Sequence, residues 1–164
     1  MKKNIAILLL AAVAIILIGI SDPAQPKGIV DNKTVETFTN LLFEYNTIRY
    51  PAVGEVVQTG GLNQNVTVGF ATEDWRLNFG AVPANGSYST RTVSMQNTKD
   101  ANVLVMLRSH GNISDLVSFD KNDFVLEPNE SAIVSIVMKS QNDIGNYTGE
   151  IDITTKKPIY NYNY

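Results

Sequence analysis

The sequence predicts a mainly β protein, one β-sandwich of about seven strands preceded by an N-terminal signal or transmembrane helix and a short amphipathic helix. Three observations predict it. Through residues 66–155 apolar residues alternate with polar ones at a period of two, the repeat that turns one face of a strand to a core and the other to solvent. Clusters of Gly, Pro, Asn and Asp cut this stretch into short segments. The chain opens, finally, with two lysines and an unbroken apolar run.

Composition narrows the function classes. With 164 residues, 44% hydrophobic and 18% charged, the chain has room for one ordinary core plus appendages. A formal charge of -3 without a basic stripe argues against a nucleic-acid partner. The chain has no cysteine, which removes disulfides, thiolate metal sites and a cysteine nucleophile. It also removes a bacterial-type lipid anchor, because Ile20 stands where the lipidated cysteine would be.

Taken in order, residues 1–21 read as a signal peptide or membrane anchor. Lys2 and Lys3 precede the apolar run of residues 5–20. As a helix that run would span roughly 24 Å, short of the roughly 30 Å hydrocarbon thickness. It fits a signal cut after Ser21, with Gly19 and Ser21 as the small residues, or a slightly short anchor that stays in the membrane. In both cases the lysines stay cytoplasmic and everything after Asp22 is exported. The expected partners are the membrane through residues 5–20 if uncleaved, and other envelope proteins or the chain itself.

Residues 22–65 read as spacer, short helix and linker. Pro23 and Pro26 forbid regular pairing in the spacer. Val35, Phe38, Leu41, Leu42 and Tyr45 then recur at helical spacing behind Asp31 as N-cap, with Glu36 in the first turn. This predicts an amphipathic helix that stops before Pro51. From Ala52 to Gly61 the pattern is weak and fits one strand that ends in a glycine turn, and Ala52 to Asn65 reads as the link into the domain.

Residues 66–155 read as the sandwich. Val66, Val68 and Phe70 alternate, as do Leu77 and Phe79 before a Pro83-Ala84-Asn85-Gly86 turn. Val93 and Met95 share a face, and Val103, Val105 and Leu107 belong to a strand covered on both sides. Phe119, Phe124 and Leu126 make short strands around residues 120–123. Val134, Ile136 and Met138 face inward, as do Tyr147, Ile151 and Ile153. Residues 156–164 form an aromatic tail in which Pro158 breaks the strand. Tyr160, Tyr162 and Tyr164 then share one face, a candidate for self-association by addition to a neighbour's sheet edge.

Leu77, Phe79, Gly80, Gly86, Ser87, Asn97, Phe124, Leu126, Pro128, Glu130, Ser131, Tyr147, Gly149 and Ile151 carry a resemblance. They match "LxFG", a Gly-Ser turn, a strand ending in Asn, "FxLxPGES" and "YxGxL". In this pattern the chain resembles the immunoglobulin-like domains of exported and scaffold proteins of the hydin and major-sperm-protein type. Asn129 stands in place of the usual turn glycine, tolerable because Asn accepts left-handed geometry. The resemblance covers roughly residues 66–155 and implies fold, not function. A second likeness is to exported fibre-forming proteins of the TasA and camelysin type, which share an N-terminal signal, absence of cysteine and a similar entry strand.

Few residues suggest chemistry. His110 is the single histidine, so a hydrolytic triad would have to combine it with Ser109 or Ser114 and with Asp115; "RSHGNIS" reads instead as a turn. Asp115, Asp120 and Asp123 with Asn122 lack the spacing and glycine of a calcium loop and read as a solvated connection. Glu150 and Asp152 read as an outward pair that discourages edge pairing. No catalytic residue, metal ligand or cofactor is expected. The signal above background is glycosylation. Asn32, Asn65, Asn85, Asn112, Asn129 and Asn146 each begin an Asn-x-Ser/Thr triplet, where chance gives roughly two or three. Most fall at expected turns of an exported domain. A cysteine-free, glycosylated, anchored sandwich is similar to archaeal surface proteins. The expectation is a non-catalytic, membrane-tethered interaction module of the cell envelope; a fibre subunit and a calcium- or ligand-binding surface domain are the alternatives.

Overall fold

β-branched and aromatic residues fill the regular segments and Asn, Gly and Pro fill the joints, so the chain forms strands almost throughout. A computed structural model describes residues 28–58 and 74–160. Nine strands occupy these residues: β1 (Thr34–Thr39), β2 (Phe43–Val57), β3 (Leu77–Pro83), β4 (Tyr88–Gln96), β5 (Val103–Gly111), β6 (Val117–Phe119), β7 (Phe124–Leu126), β8 (Ser131–Lys139) and β9 (Gly145–Pro158). One sheet has the order β1-β2-β9-β5-β7, with β3 also on β2; the other has the order β4-β8-β6. All pairings are antiparallel except β2 with β3.

The two sheets face each other as a β-sandwich. Ala52, Val56, Phe79, Ile151, Ile136 and Met138 form one apolar cluster, and Val105, Leu107, Leu126, Val134 and Ile153 the other. The inward faces expected for β5 and β8 are thus buried, as period-two alternation requires, and on β9 Ile151 and Ile153 are buried and Tyr147 half-buried.

The amphipathic helix expected between Asp31 and Tyr50 is a β-hairpin. Asn40 closes its turn, its Oδ1 accepting from the backbone N–H groups of Leu42 and Phe43 at 3.0 and 2.8 Å. Val35 and Phe38 fall on opposite faces of β1 and stay exposed with Leu41 and Leu42; of the supposed apolar stripe, Tyr45 alone is buried. Spacings of three and four residues suit either element over so short a window, and long-range pairing decides. Residues 52–57, expected as a strand within a link, complete β2, which begins earlier than expected and pairs with β9 along its length, from Phe43↔Pro158 to Val56↔Gly145. The sandwich therefore includes residues 34–57, and Pro158 ends β9 without breaking it earlier. The signal or anchor of residues 1–21, the strand expected at Val66, Val68 and Phe70, the sequon at Asn65, and Tyr162 and Tyr164 lie outside the described residues.

Two joints explain why the turn residues are what they are. Asn97 is buried after β4, and its Nδ2 donates to the carbonyls of Ala101, Leu126 and Glu127 at 2.9, 3.0 and 3.1 Å. Its backbone accepts from Asn129, whose φ of 65° is the left-handed geometry expected of a residue in glycine's place. Gly149 lies where β9 passes β5, and a Cβ there would collide with the His110 carbonyl oxygen.

Candidate functional site: a buried charge cluster

Alternation along β9 sends Ile151 and Ile153 into the core and Glu150 and Asp152 to the opposite face of the sheet. The carboxylates do face outward, but neither is exposed, and β9 lies inside the sheet between β2 and β5. The expected role in discouraging edge pairing is therefore corrected. Their burial follows from what meets them. Register places Arg49 of β2 opposite Asp152, and His110 of β5 opposite Glu150. The segment ahead of β1 is hydrogen-bonded across them: the Val30 N–H donates to Glu150 Oε2 at 2.9 Å, and Arg49 Nη2 donates to the Gly28 carbonyl at 2.6 Å.

Arg49 organises the cluster. Its Nε and Nη2 donate to Glu150 Oε1 and Oε2 at 3.0 and 2.9 Å, the fork geometry that suits guanidinium and carboxylate. Its Nη1 donates to Glu36 Oε1 at 2.8 Å, and its Nε lies 3.9 Å from Asp152 Oδ1. His110 Nε2 is 3.4 Å from Asp152 Oδ2. Burial opposes the charge on Arg49, but the bonds to Glu150 and Glu36 outweigh it and hold the guanidinium above its usual value. Burial opposes the charge on Glu150 too and so pushes it up, but donors from Arg49, Asp152 and Val30 hold it below the ordinary carboxylate range. Asp152 goes the other way. Burial first, then the neighbouring Glu150, push it up to about 7. Its Oδ1 is buried without a donor.

The cluster suits structure better than chemistry. His110, Glu150 and Asp152 offer ligand atoms within 4.8 Å of one another. Glu150 has both oxygens engaged, however, and a guanidinium beside them repels a second cation. The donor set fits a proton better than a metal.

The structure does not assemble the residues considered for catalysis. His110 lies in β5, where a turn was expected, and Ser109 before it points to the other face of the sheet. Ser114 Oγ donates to the Gly111 carbonyl, and Asp115 is exposed on the short turn Ser114–Leu116. The acidic residues considered for calcium are spent separately. Asp120 accepts from the Ser135 N–H, Asp123 pairs with Arg108 at 3.1 Å, and the Asn122 amide bonds both the N–H and the carbonyl of Leu107. Of the sequon asparagines, Asn32, Asn85, Asn112, Asn129 and Asn146 are exposed; Asn146 lies within β9, the others in bends and turns.

Sequence reasoning missed Arg49 and Glu36. Arg49 stands alone among apolar and aromatic neighbours in "NTIRYPAV", and a lone arginine in a strand-like run is the one signal that asks for a buried carboxylate. The chain matches no family model, no curated protein and no solved structure.

Proposed function

We propose that the chain is an exported, membrane-tethered module of the cell envelope. Its sandwich, on this reading immunoglobulin-like, works by contact with other proteins or with its own copies and carries out no catalytic step. One observation supports this most: β1 is an edge strand whose hairpin end gathers exposed apolar side chains. Phe38, Leu41 and Leu42 are there, and β9 delivers Ile159 and Tyr160 beside them, with the Ile159 N–H donating to the Leu42 carbonyl at 2.9 Å. An unpaired strand edge beside apolar surface is a common docking surface. Export and tethering rest on Lys2, Lys3 and the apolar run of residues 5–20. Protease added to intact cells should digest the sandwich, and Leu41→Ser with Leu42→Ser should abolish its cross-linking to envelope proteins. Full protection together with a cytosolic location would refute export, and unchanged cross-linking would refute the docking surface.

A second reading, a subunit of an extracellular fibre built by β-strand addition, is favoured by the position of β2. That strand comes near the start of the sequence, pairs with both β9 and β3, and is joined to β3 by residues 58–76. Fully extended, that connection reaches roughly 60 Å, enough for the β1–β2 hairpin of one copy to seat in another. The tyrosine tail offers a different donor. If removing residues 161–164 dissolves the oligomers seen in sedimentation, the tail donates; oligomers that survive its loss point to the hairpin.

A further inference from the structure

The outward face of β9 carries more buried negative charge than the guanidinium beside it balances. Arg49 serves Glu36, Glu150 and Asp152, and the last two are buried. The other charged groups near this face are engaged elsewhere or point to solvent. Arg108 of β5 pairs with Asp123, Lys33 ahead of β1 lies 4.9 Å over the Tyr50 ring, and Asp31 is exposed. Further along β9, Lys156 sits 4.1 Å over Phe43. Asp152 itself, 3.4 Å from His110, is left to hold the compensating proton.

Geometry ties that proton to residues 28–30. A proton on the donorless Oδ1 of Asp152 would turn it from an orphan acceptor into a donor toward Glu150. Glu150 and Arg49 are the two groups that bind residues 28–30, through the Val30 N–H and the Gly28 carbonyl. The Ile29 side chain reaches over Gly111, where an added Cβ would lie 3.1 Å from its Cδ1. We propose that a proton carried by Asp152 latches residues 28–30 onto the sheet, and that its loss releases them. With that proton gone, two adjacent buried carboxylates compete for one guanidinium. Lifting this short segment admits water to both while the β2–β9 ladder stays paired. Burial and the Glu150 charge put the transition near neutral pH, Asp152 being raised to about 7. The latch would set how firmly the N-terminal stretch is held to the sandwich, and it does not depend on the proposed function.

Backbone hydrogen exchange on the full chain in detergent micelles tests this. Between about pH 6 and about pH 8.5 the protection factor of the Val30 amide should fall by about tenfold or more, while that of Ile153 holds. In Asp152→Asn, a neutral isostere that still donates toward Glu150, Val30 should stay protected throughout. Constant Val30 protection in the unaltered chain, or an undiminished fall in the variant, overturns the proposal. Should the variant not fold, carbon-13 titration of the Asp152 carboxyl in the unaltered chain decides. Its midpoint must coincide with the loss of Val30 protection, and a separation of more than about one pH unit overturns the latch.

Discussion

Glu150 keeps its charge in a dry position because Arg49 grips both of its oxygens, so removing either partner strands the other. Glu150→Ala should cost about 3 to 5 kcal/mol in urea unfolding, as breaking buried ion pairs does. Asp152 gives stability a pH dependence of definite sign. Its folded value is raised from 3.8 to about 7, so between those limits the folded chain holds a proton that the unfolded chain has released. Stability should therefore fall as pH rises through that window, by at most about 1.4 kcal/mol per unit. Glu150, lowered in the fold, acts oppositely and costs stability as the medium grows more acid. A stability maximum on the acid side of neutrality, moved or flattened by Asp152→Asn, is the expected calorimetric result. In the core, Ile136→Ala should cost about 2 to 4 kcal/mol through the cavity it leaves. Alternation in the sequence places Glu150 and Asp152 on the outward face correctly. Their burial was not legible because the groups that cover them, Arg49 and residues 28–30, lie about a hundred positions away in the chain.

At the scale of elements, legibility depended on how local the deciding contacts were. β4, β5, β8 and β9 declare themselves by alternation, and their inward residues are those expected. The β1–β2 hairpin does not, since Val35, Phe38, Leu41, Leu42 and Tyr45 fit a helical wheel and all but Tyr45 end in solvent. Pairing with β9 makes the choice, and no local propensity reports it. The crossing of β9 with β5 gives a sharp test. Gly149→Ala sets a methyl against the His110 carbonyl and the Ile113 side chain and should destabilise by about 1 to 3 kcal/mol, or more if the strands cannot part. Asn97→Ala leaves the carbonyls that its amide bridges without that donor, for a loss of about 2 to 3 kcal/mol by thermal unfolding.

Across the whole molecule, β2 is what the sequence concealed. A boundary at residue 66 looks natural from the change of period, yet a chain starting there would lack the strand between β9 and β3 and would bare Ile151 and Phe79. Such a chain should show little β signal in circular dichroism and gain it when a peptide of residues 28–58 is added. A folded monomer without the peptide would mean that β2 is dispensable. The same topology has a consequence in time. Of the described strands β2 is made second and its longest partner, β9, ninth, so Arg49 waits for Glu150 until a further 101 residues have been made. Until β9 is made, one edge of β2 lacks its partner among the described strands, although β1 and β3 can already pair along the other. High contact order of this kind slows folding and lengthens the exposure of an open strand edge to neighbouring chains. A protein built this way benefits from being kept unfolded until β9 has been delivered.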